Sequence, residues 1–201
     1  MNDFKSIEKS EWDREPDADA LERAASIDDF LGREGAFNKL VDAGSILSMI
    51  NLAHLYEHRP QQFGGFDVDL CEKWYRRAIE AKSILATFQF GYFYLRRKDY
   101  INAMEMFDIG AKKGCAPSMI RLADLYIHGL GVARDINRAR VILNRAGGLG
   151  NLWAKRALAR MDKNAGGNYY IKLKGAVMCY VTDLQFNFEA RRNPKSERLK
   201  K

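Results

Sequence analysis

The fold is decided by the stretch that runs from residue 114 to residue 150. It reads Gly114-Cys-Ala-Pro-Ser-Met-Ile-Arg-Leu-Ala-Asp-Leu-Tyr126, then Gly129-Leu-Gly-Val132, Asp135, Arg138-Ala139, Arg145-Ala146 and Gly150. Its apolar residues recur at intervals of three and four, which is the period of an α-helix. Two such segments, joined by a glycine-containing turn and closed by a glycine, indicate a pair of helices.

The chain repeats this pattern on both sides of that stretch. Segments equivalent to its first helix begin at residues 44, 82 and 150, so successive starts lie 38, 32 and 36 residues apart. A small residue occupies one equivalent position in these segments, as Ala53, Gly91, Ala123 and Ala159, and lets two helices cross closely. Because a single helix pair cannot bury its apolar face whereas stacked pairs share a core, the sequence predicts an all-α solenoid.

These residues resemble the Sel1-like repeats, a branch of the tetratricopeptide-like superfamily. The unit 114–150 is similar to the family pattern of helix, glycine-containing turn, helix and closing glycine nearly throughout. The unit 44–82 departs from it by a longer turn, Glu57 to Asp67, and the unit 82–114 by a turn of only Lys98-Asp99. The resemblance implies a right-handed superhelix of antiparallel helix pairs and, since the family is known for adaptors, a protein-binding role.

The repeat boundaries define the expected organisation of the chain. Residues 1–17 are acidic and polar, and they are predicted to be disordered, so their deletion should leave the melting temperature almost unchanged. The predicted solenoid covers residues 18–162, with a partial repeat at 28–43, full repeats at 44–82, 82–114 and 114–150, and a half repeat at 150–162.

The C-terminal part, residues 169–201, is predicted to be a capping element followed by a basic tail. Val177, Val181, Leu184 and Phe188 fit one face of a helix, although apolar residues between 169 and 190 also alternate as they would in strands. We favour a capping helix, because the end of a solenoid needs an amphipathic cover.

The net charge of +7 is unevenly distributed along the chain. Residues 1–30 carry 4 basic and 10 acidic side chains, so the remaining chain is strongly basic. A basic body attracts an acidic protein or an anionic membrane surface. Nucleic acid is not an expected partner, because the basic residues 191–201 have no interleaved aromatic residues.

The expected location is the cytoplasm. No apolar segment follows the first residues, and no run approaches the roughly 20 apolar residues that a membrane span needs. Cys71, Cys115 and Cys179 are odd in number and far apart, which indicates neither a disulfide framework nor a zinc ribbon. Reduced thiols in a cytoplasmic protein account for them.

One short stretch suggests metal chemistry. His54-Leu-Tyr-Glu57-His58 matches H-x-x-E-H, in which two histidines one turn apart bind zinc and the glutamate acts as base. A zinc metallohydrolase is therefore an alternative. The repeat explains the same residues without zinc, because Leu55 and Tyr56 are framework positions and His54 falls on a variable one. No catalytic residue, metal or cofactor is therefore expected.

The variable positions of the first helices predict a partner-binding groove. In a solenoid of helix pairs the first helices line the concave side, and their framework residues point into the core. The remaining positions form three rows: Ile50, Phe88, Ile120 and Arg156; Asn51, Gln89 and Arg121; and His54, Tyr92, Asp124 and Arg160. This mixture of apolar, aromatic and arginine side chains suits a protein or peptide, although some rows could instead pack against the next repeat.

The sequence thus predicts a non-enzymatic protein–protein interaction module: an adaptor, regulator or scaffold. One special case is a bacterial immunity protein that neutralises a cognate toxin. Another alternative is a peripheral membrane protein that docks through its basic C-terminal end. No small-molecule substrate is expected.

Overall fold

The computed structural model describes residues 4–164 and 169–192, and within them the chain is helical with no strand. A 3-10 turn covers Gln61–Phe63. The α-helices are α1 (Phe4–Trp12), α2 (Ala18–Ala25), α3 (Phe30–Asp42), α4 (Ile46–Glu57), α5 (Val68–Glu80), α6 (Ile84–Arg96), α7 (Tyr100–Lys112), α8 (Ala116–His128), α9 (Ile136–Gly148), α10 (Leu152–Lys163) and α11 (Tyr169–Arg192). The all-α class predicted from the repeat is confirmed.

Each second helix of a repeat begins at an aspartate. The carboxylates of Asp67, Asp99 and Asp135 accept hydrogen bonds of 2.8–3.2 Å from the backbone N–H three residues on, at the starts of α5, α7 and α9. Such a cap satisfies one of the N–H groups that a helix start leaves without a partner. Asp29 caps α3 in the same way at 2.6 Å. Helix α3 therefore stands in the place of a second helix, before the first full repeat.

The chain divides into two compact units, one comprising residues 7–93 and the other mainly residues 94–201. In the first unit the core is aromatic where α5 meets α6. The ring of Tyr75, which has no exposed surface, stacks on Phe90 with centroids 5.0 Å apart and lies 5.8 Å from Phe93. Leu52 and Ala53 of α4 are also fully buried, as their framework positions predicted.

In the second unit helix α8 packs against α7 and α9 through small buried residues. Ala123 and Ala139 have no exposed surface, and Met119 of α8 and Leu143 of α9 are buried as well. The turn between α8 and α9 needs glycine at position 131. Its φ is +70°, and a Cβ there would lie 2.7 Å from the carbonyl carbon of Tyr100.

The acidic N-terminal segment, expected to be disordered, is helical in the structure over α1. Glu11 is only 4% exposed, and its carboxylate accepts hydrogen bonds from the Ser83 hydroxyl and from the N–H groups of Ile84 and Leu85, at 2.6–2.9 Å. Glu15 accepts in the same way from the hydroxyl of Ser45 (2.5 Å) and the N–H of Leu47 (2.8 Å).

Two carboxylates of this segment therefore bind the N-termini of α6 and α4. The negative charge complements the partial positive charge of a helix start and satisfies its unpaired N–H groups. The expectation from composition missed these contacts, because it treated the acidic residues only as solvated charges.

At the C-terminal end, the helical alternative for residues 169–190 is the one that the structure shows, as α11. Helix α11 runs antiparallel to α10, with Asp183 paired to Arg156 at 2.7 Å. The two helices cross closely, because a Cβ on Gly175 would lie 2.2 Å from the backbone nitrogen of Lys163. Of the predicted basic tail, residues 193–201 lie outside the described residues. None of the described helices is both long and apolar enough to cross a membrane.

Candidate functional site

Three of the four residues of the first predicted groove row are buried. Ile50, Phe88 and Ile120 are only 3–7% exposed, although Ile50 also belongs to the lining of a cavity beside α4. The fourth member, Arg156, is half-buried by its ion pair with Asp183 of α11. Burial of Phe88 and Ile120 agrees with the alternative left open by the sequence, that some of these positions pack inside the repeat array.

The other two rows keep part of their surface. Their members in α4, α6 and α8 are half-buried and Arg160 is exposed. Arg121 donates a hydrogen bond to Asp124 on its own helix at 3.3 Å. The Tyr92 ring meets Phe88 edge to face, with centroids 4.9 Å apart.

Two predicted groove residues, Asn51 and His54, lie between two cavities of the first unit. The larger cavity has a volume of about 500 Å³ and the smaller about 310 Å³, and both are lined by Asn51, His54 and Ala25. Gln89 of the second row lines the smaller one. The structure thus brings together one face of α4 with α2 and the start of the chain.

The larger cavity has aromatic walls. Phe30 of α3 stacks on Phe63 of the 3-10 turn with centroids 5.1 Å apart, and Phe37 lies on the same lining. Asp28, Arg33, His58 and Gln62 contribute polar atoms to it. The Arg33 guanidinium donates to the carbonyl of Ile27 at 2.7 Å, which fixes the loop before α3.

The long turn after α4 forms one wall of this cavity. Pro60, Gln62 and Phe63 line it, and the turn reverses at Gly64, whose φ is +107°. The sequence showed this turn as a departure from the family pattern, and its aromatic and proline residues were the signal that could have placed a site there. Beside it, Tyr56 donates a hydrogen bond to Glu34, and burial together with this carboxylate raises the pKa of the Tyr56 hydroxyl.

The smaller cavity is closed on one side by the N-terminal segment. Trp12 of α1 and Leu21 of α2 line it together with Leu47 of α4 and Leu85 of α6. Sequence reasoning missed the part of this wall that Trp12 forms, because it took residues 1–17 to be disordered. Trp12 was the visible signal, since a large aromatic residue in a polar segment needs somewhere to be buried.

The geometry around His54 differs from that of a zinc site. Its ring meets Tyr75 edge to face, with centroids 5.9 Å apart. Over the part of the chain that the structure describes, no group of three or more His, Cys, Asp or Glu side chains is placed to hold a metal ion. What the site offers is two pockets with apolar walls and a few polar groups, an arrangement typical of ligand recognition.

Comparison with known proteins identifies the repeat. The family described as Sel1 repeat matches residues 46–83, 85–115 and 116–151, which together are more than half of the chain. No curated protein matches the chain.

Two solved structures are similar in fold. One is a protective antigen present in uropathogenic Escherichia coli strains that displays an SLR fold, with 20% identity and a TM-score of 0.58. The match covers 82% of this chain but 39% of the antigen, so the chain spans about two fifths of that protein's length. The other is a Sel1 repeat protein from Oxalobacter formigenes, also with 20% identity and a TM-score of 0.58, covering 85% of this chain and 76% of that one. At this identity the likeness shows the solenoid fold alone.

Proposed function

Because the chain belongs to the Sel1 repeat family, we propose that it is a non-enzymatic interaction module that holds a peptide segment of a partner protein in the two cavities beside Asn51 and His54. The observation that carries the proposal is that these residues line both cavities. A peptide crossing α4 would therefore pass over both side chains and place its own side chains on either side of them.

The residues that line the cavities suit a peptide that offers both backbone hydrogen-bonding groups and apolar side chains. An asparagine amide carries two donors and one acceptor, so it can bind both the N–H and the C=O of a peptide backbone. In the part of the chain that the structure describes, the Asn51 amide makes no hydrogen bond of its own. Phe30, Phe63 and Trp12 give apolar surface for the peptide's side chains.

The cavity lining does not select for an acidic partner. Its one arginine, Arg33, is engaged by a backbone carbonyl, and the other polar groups include neutral amides and the Asp28 and Asp29 carboxylates. The predicted attraction of an acidic partner would have to come from the basic body of the chain.

Photo-crosslinking in the native cell tests the proposal. A photoreactive amino acid at Gln62, which is exposed on the rim of the larger cavity, should capture the partner. The same probe at Glu105, exposed on α7 and outside the linings of both cavities, is the control and should capture much less.

The captured partner then allows an affinity measurement. Asn51→Ala with His54→Ala should lower the affinity at least about 30-fold, the cost of losing a hot spot of about 2 kcal/mol. The helical circular-dichroism signal should be unchanged, since both positions are only half-buried. Equal capture at Gln62 and Glu105, or a double mutant that binds like wild type, would remove the cavities as the site.

The immunity and membrane-docking alternatives stay predictions from the sequence. Neither similar structure is described as binding a toxin. The basic residues 193–201, on which membrane docking rests, lie outside the described residues.

A further inference from the structure

Helix α11 has an apolar face on the side away from α10. Gly175 and Thr182 are buried where α11 packs on α10. About half a turn around the helix from them lie six large apolar side chains, each 37–67% exposed: Leu173, Val177, Tyr180, Val181, Leu184 and Phe188. They occupy an arc of about 100°, the width of a stripe that a globular protein normally buries. A contiguous apolar patch of this kind marks an interaction site.

The spacing of these residues is the same when read from either end. The intervals along the chain are four, three, one, three and four residues. If a second α11 lies antiparallel on the first, with a two-fold axis between Tyr180 and Val181, each of these six residues meets another of the six. Leu173 then faces Phe188 of the second copy, and Val177 faces Leu184 of the second copy. A two-fold interface requires this kind of self-complementary surface.

The size of the face agrees with such a pairing. It extends about 22 Å from Leu173 to Phe188 at 1.5 Å per residue. Since an aromatic side chain covers roughly 150–250 Å² and valine and leucine cover less, six side chains that are about half exposed offer no more than roughly 500 Å² per copy. Two copies would bury at most about 1,000 Å² through this face, which is the lower limit for a specific protein–protein interface.

We propose that this face of α11 binds the same face of a second copy of the chain, in an antiparallel helix pair centred between Tyr180 and Val181. Val177 and Leu184 lie near the middle of the seam. Because the residues of the seam are apolar, added salt should strengthen the pair.

Disulfide crosslinking tests the register of the pair. The background is Cys179→Ser, which leaves only the buried Cys71 and Cys115. A mixture of Val177→Cys protein and Leu184→Cys protein should form a mixed disulfide in mild oxidant, because the two positions face each other across the axis. Val177→Cys protein alone should crosslink at least about tenfold more slowly, because the antiparallel register keeps its two cysteines more than the roughly 7 Å of a disulfide apart. Equal crosslinking of the single variant would overturn the antiparallel register.

The mass in solution tests the pair itself. Sedimentation equilibrium should give twice the chain mass of 23.0 kDa at micromolar concentration. Leu184→Glu places a charge at the seam of both copies and should weaken association at least about 30-fold. Met178→Glu is the matched control, because Met178 is 43% exposed but lies off this face. Circular dichroism verifies that both variants stay helical.

Two further outcomes would overturn the proposal. One is a chain that stays monomeric at about 100 μM, above the range of ordinary specific association. The other is a monomer that sediments with phosphatidylserine vesicles through this face, with Leu184→Glu abolishing sedimentation and salt weakening it. The apolar face would then belong to a membrane contact.

Discussion

Four residues with positive φ close the repeats, and one of them is not a glycine. Gly44, Gly114 and Gly150 have φ between +88° and +95°, and Lys82 at the equivalent position has φ +68°. A side chain in this left-handed region brings its Cβ close to the backbone, which costs roughly 1–2 kcal/mol. The repeat geometry imposes the conformation on Lys82, whose side chain is exposed.

We therefore expect Lys82→Gly to stabilise the protein. Relief of the backbone strain outweighs the greater freedom of glycine in the unfolded chain, so the free energy of unfolding should rise by about 0.5–1 kcal/mol. Urea denaturation measures the change. Lys113→Gly is the control, because Lys113 has an ordinary φ of −77° and should lose stability on the same substitution. A destabilised Lys82→Gly variant would mean that the lysine side chain contributes more than its backbone costs.

At the scale of single residues, the sequence predicted burial correctly at the framework positions of the repeat. Leu52, Ala53 and Ala123 were assigned to the core from the repeat, and they are buried. The same reasoning placed Phe88 and Ile120 in the groove, but both are buried, whereas Ile50 is buried and also belongs to the lining of the smaller cavity. An alignment shows which positions vary, but a first helix packs on its own partner and on the neighbouring helices. Variable positions can therefore be buried too, when each repeat fills the space with a different apolar residue.

At the scale of elements, the N-terminal segment is held to two helices of the repeats by its carboxylates. Glu11 and Glu15 lie four residues apart, and their carboxylates bind the starts of two first helices. The sequence contained both the glutamates and the serines, Ser45 and Ser83, that share these caps. Composition alone could not reveal these contacts, because each one joins a glutamate to a helix start that is 30 or more residues further along the chain.

We expect Glu11→Ala to lower the free energy of unfolding by about 2 kcal/mol. The change leaves the Ser83 hydroxyl and the N–H groups of Ile84 and Leu85 without their acceptor, and charge-assisted hydrogen bonds are worth about 1.5–3 kcal/mol.

Asp13→Ala is the matched control for this change. Asp13 belongs to the same acidic segment but is exposed, so its loss should change the stability by less than about 0.5 kcal/mol. Thermal melts of both variants decide the matter. Equal stability of the two would restore the disordered N-terminal segment predicted from composition.

For the whole molecule, the sequence predicted the repeat and its helices but not the site between them. The spacing of small residues and aspartates indicates where each helix pair begins and ends, because every repeat buries its apolar face against its neighbours in the same way. The cavities beside Asn51 arise where the chain departs from the repeat, at the long turn around Pro60 and at the segment containing Trp12 and Leu21. A periodic pattern carries no information about such departures.

A partner bound in the two cavities could also contact the first helices of the later repeats. Tyr92 of α6 belongs to the third groove row and Arg121 of α8 to the second, and both keep part of their surface. Tyrosine and arginine are over-represented among binding hot spots, so a partner that extends beyond the cavities should contact them. We expect Tyr92→Ala with Arg121→Ala to weaken binding of the captured partner at least about 30-fold. Alanine is chosen at Arg121 because a glutamate there would repel Asp124, which now accepts its hydrogen bond.

The control for this double mutant is Glu105→Ala on the exposed side of α7, which should bind within about twofold of wild type. Titration calorimetry gives both affinities, and circular dichroism shows whether the helices persist.

A partner held only by the cavities predicts a different result: Asn51→Ala with His54→Ala would abolish binding while the Tyr92 and Arg121 double mutant binds normally. The groove predicted from the three rows would then be wrong, and recognition would belong to residues 7–93 alone. That outcome has a physical reason, because Tyr92 packs on Phe88 and Arg121 bonds to Asp124, and side chains already engaged on their own helix gain less from a partner.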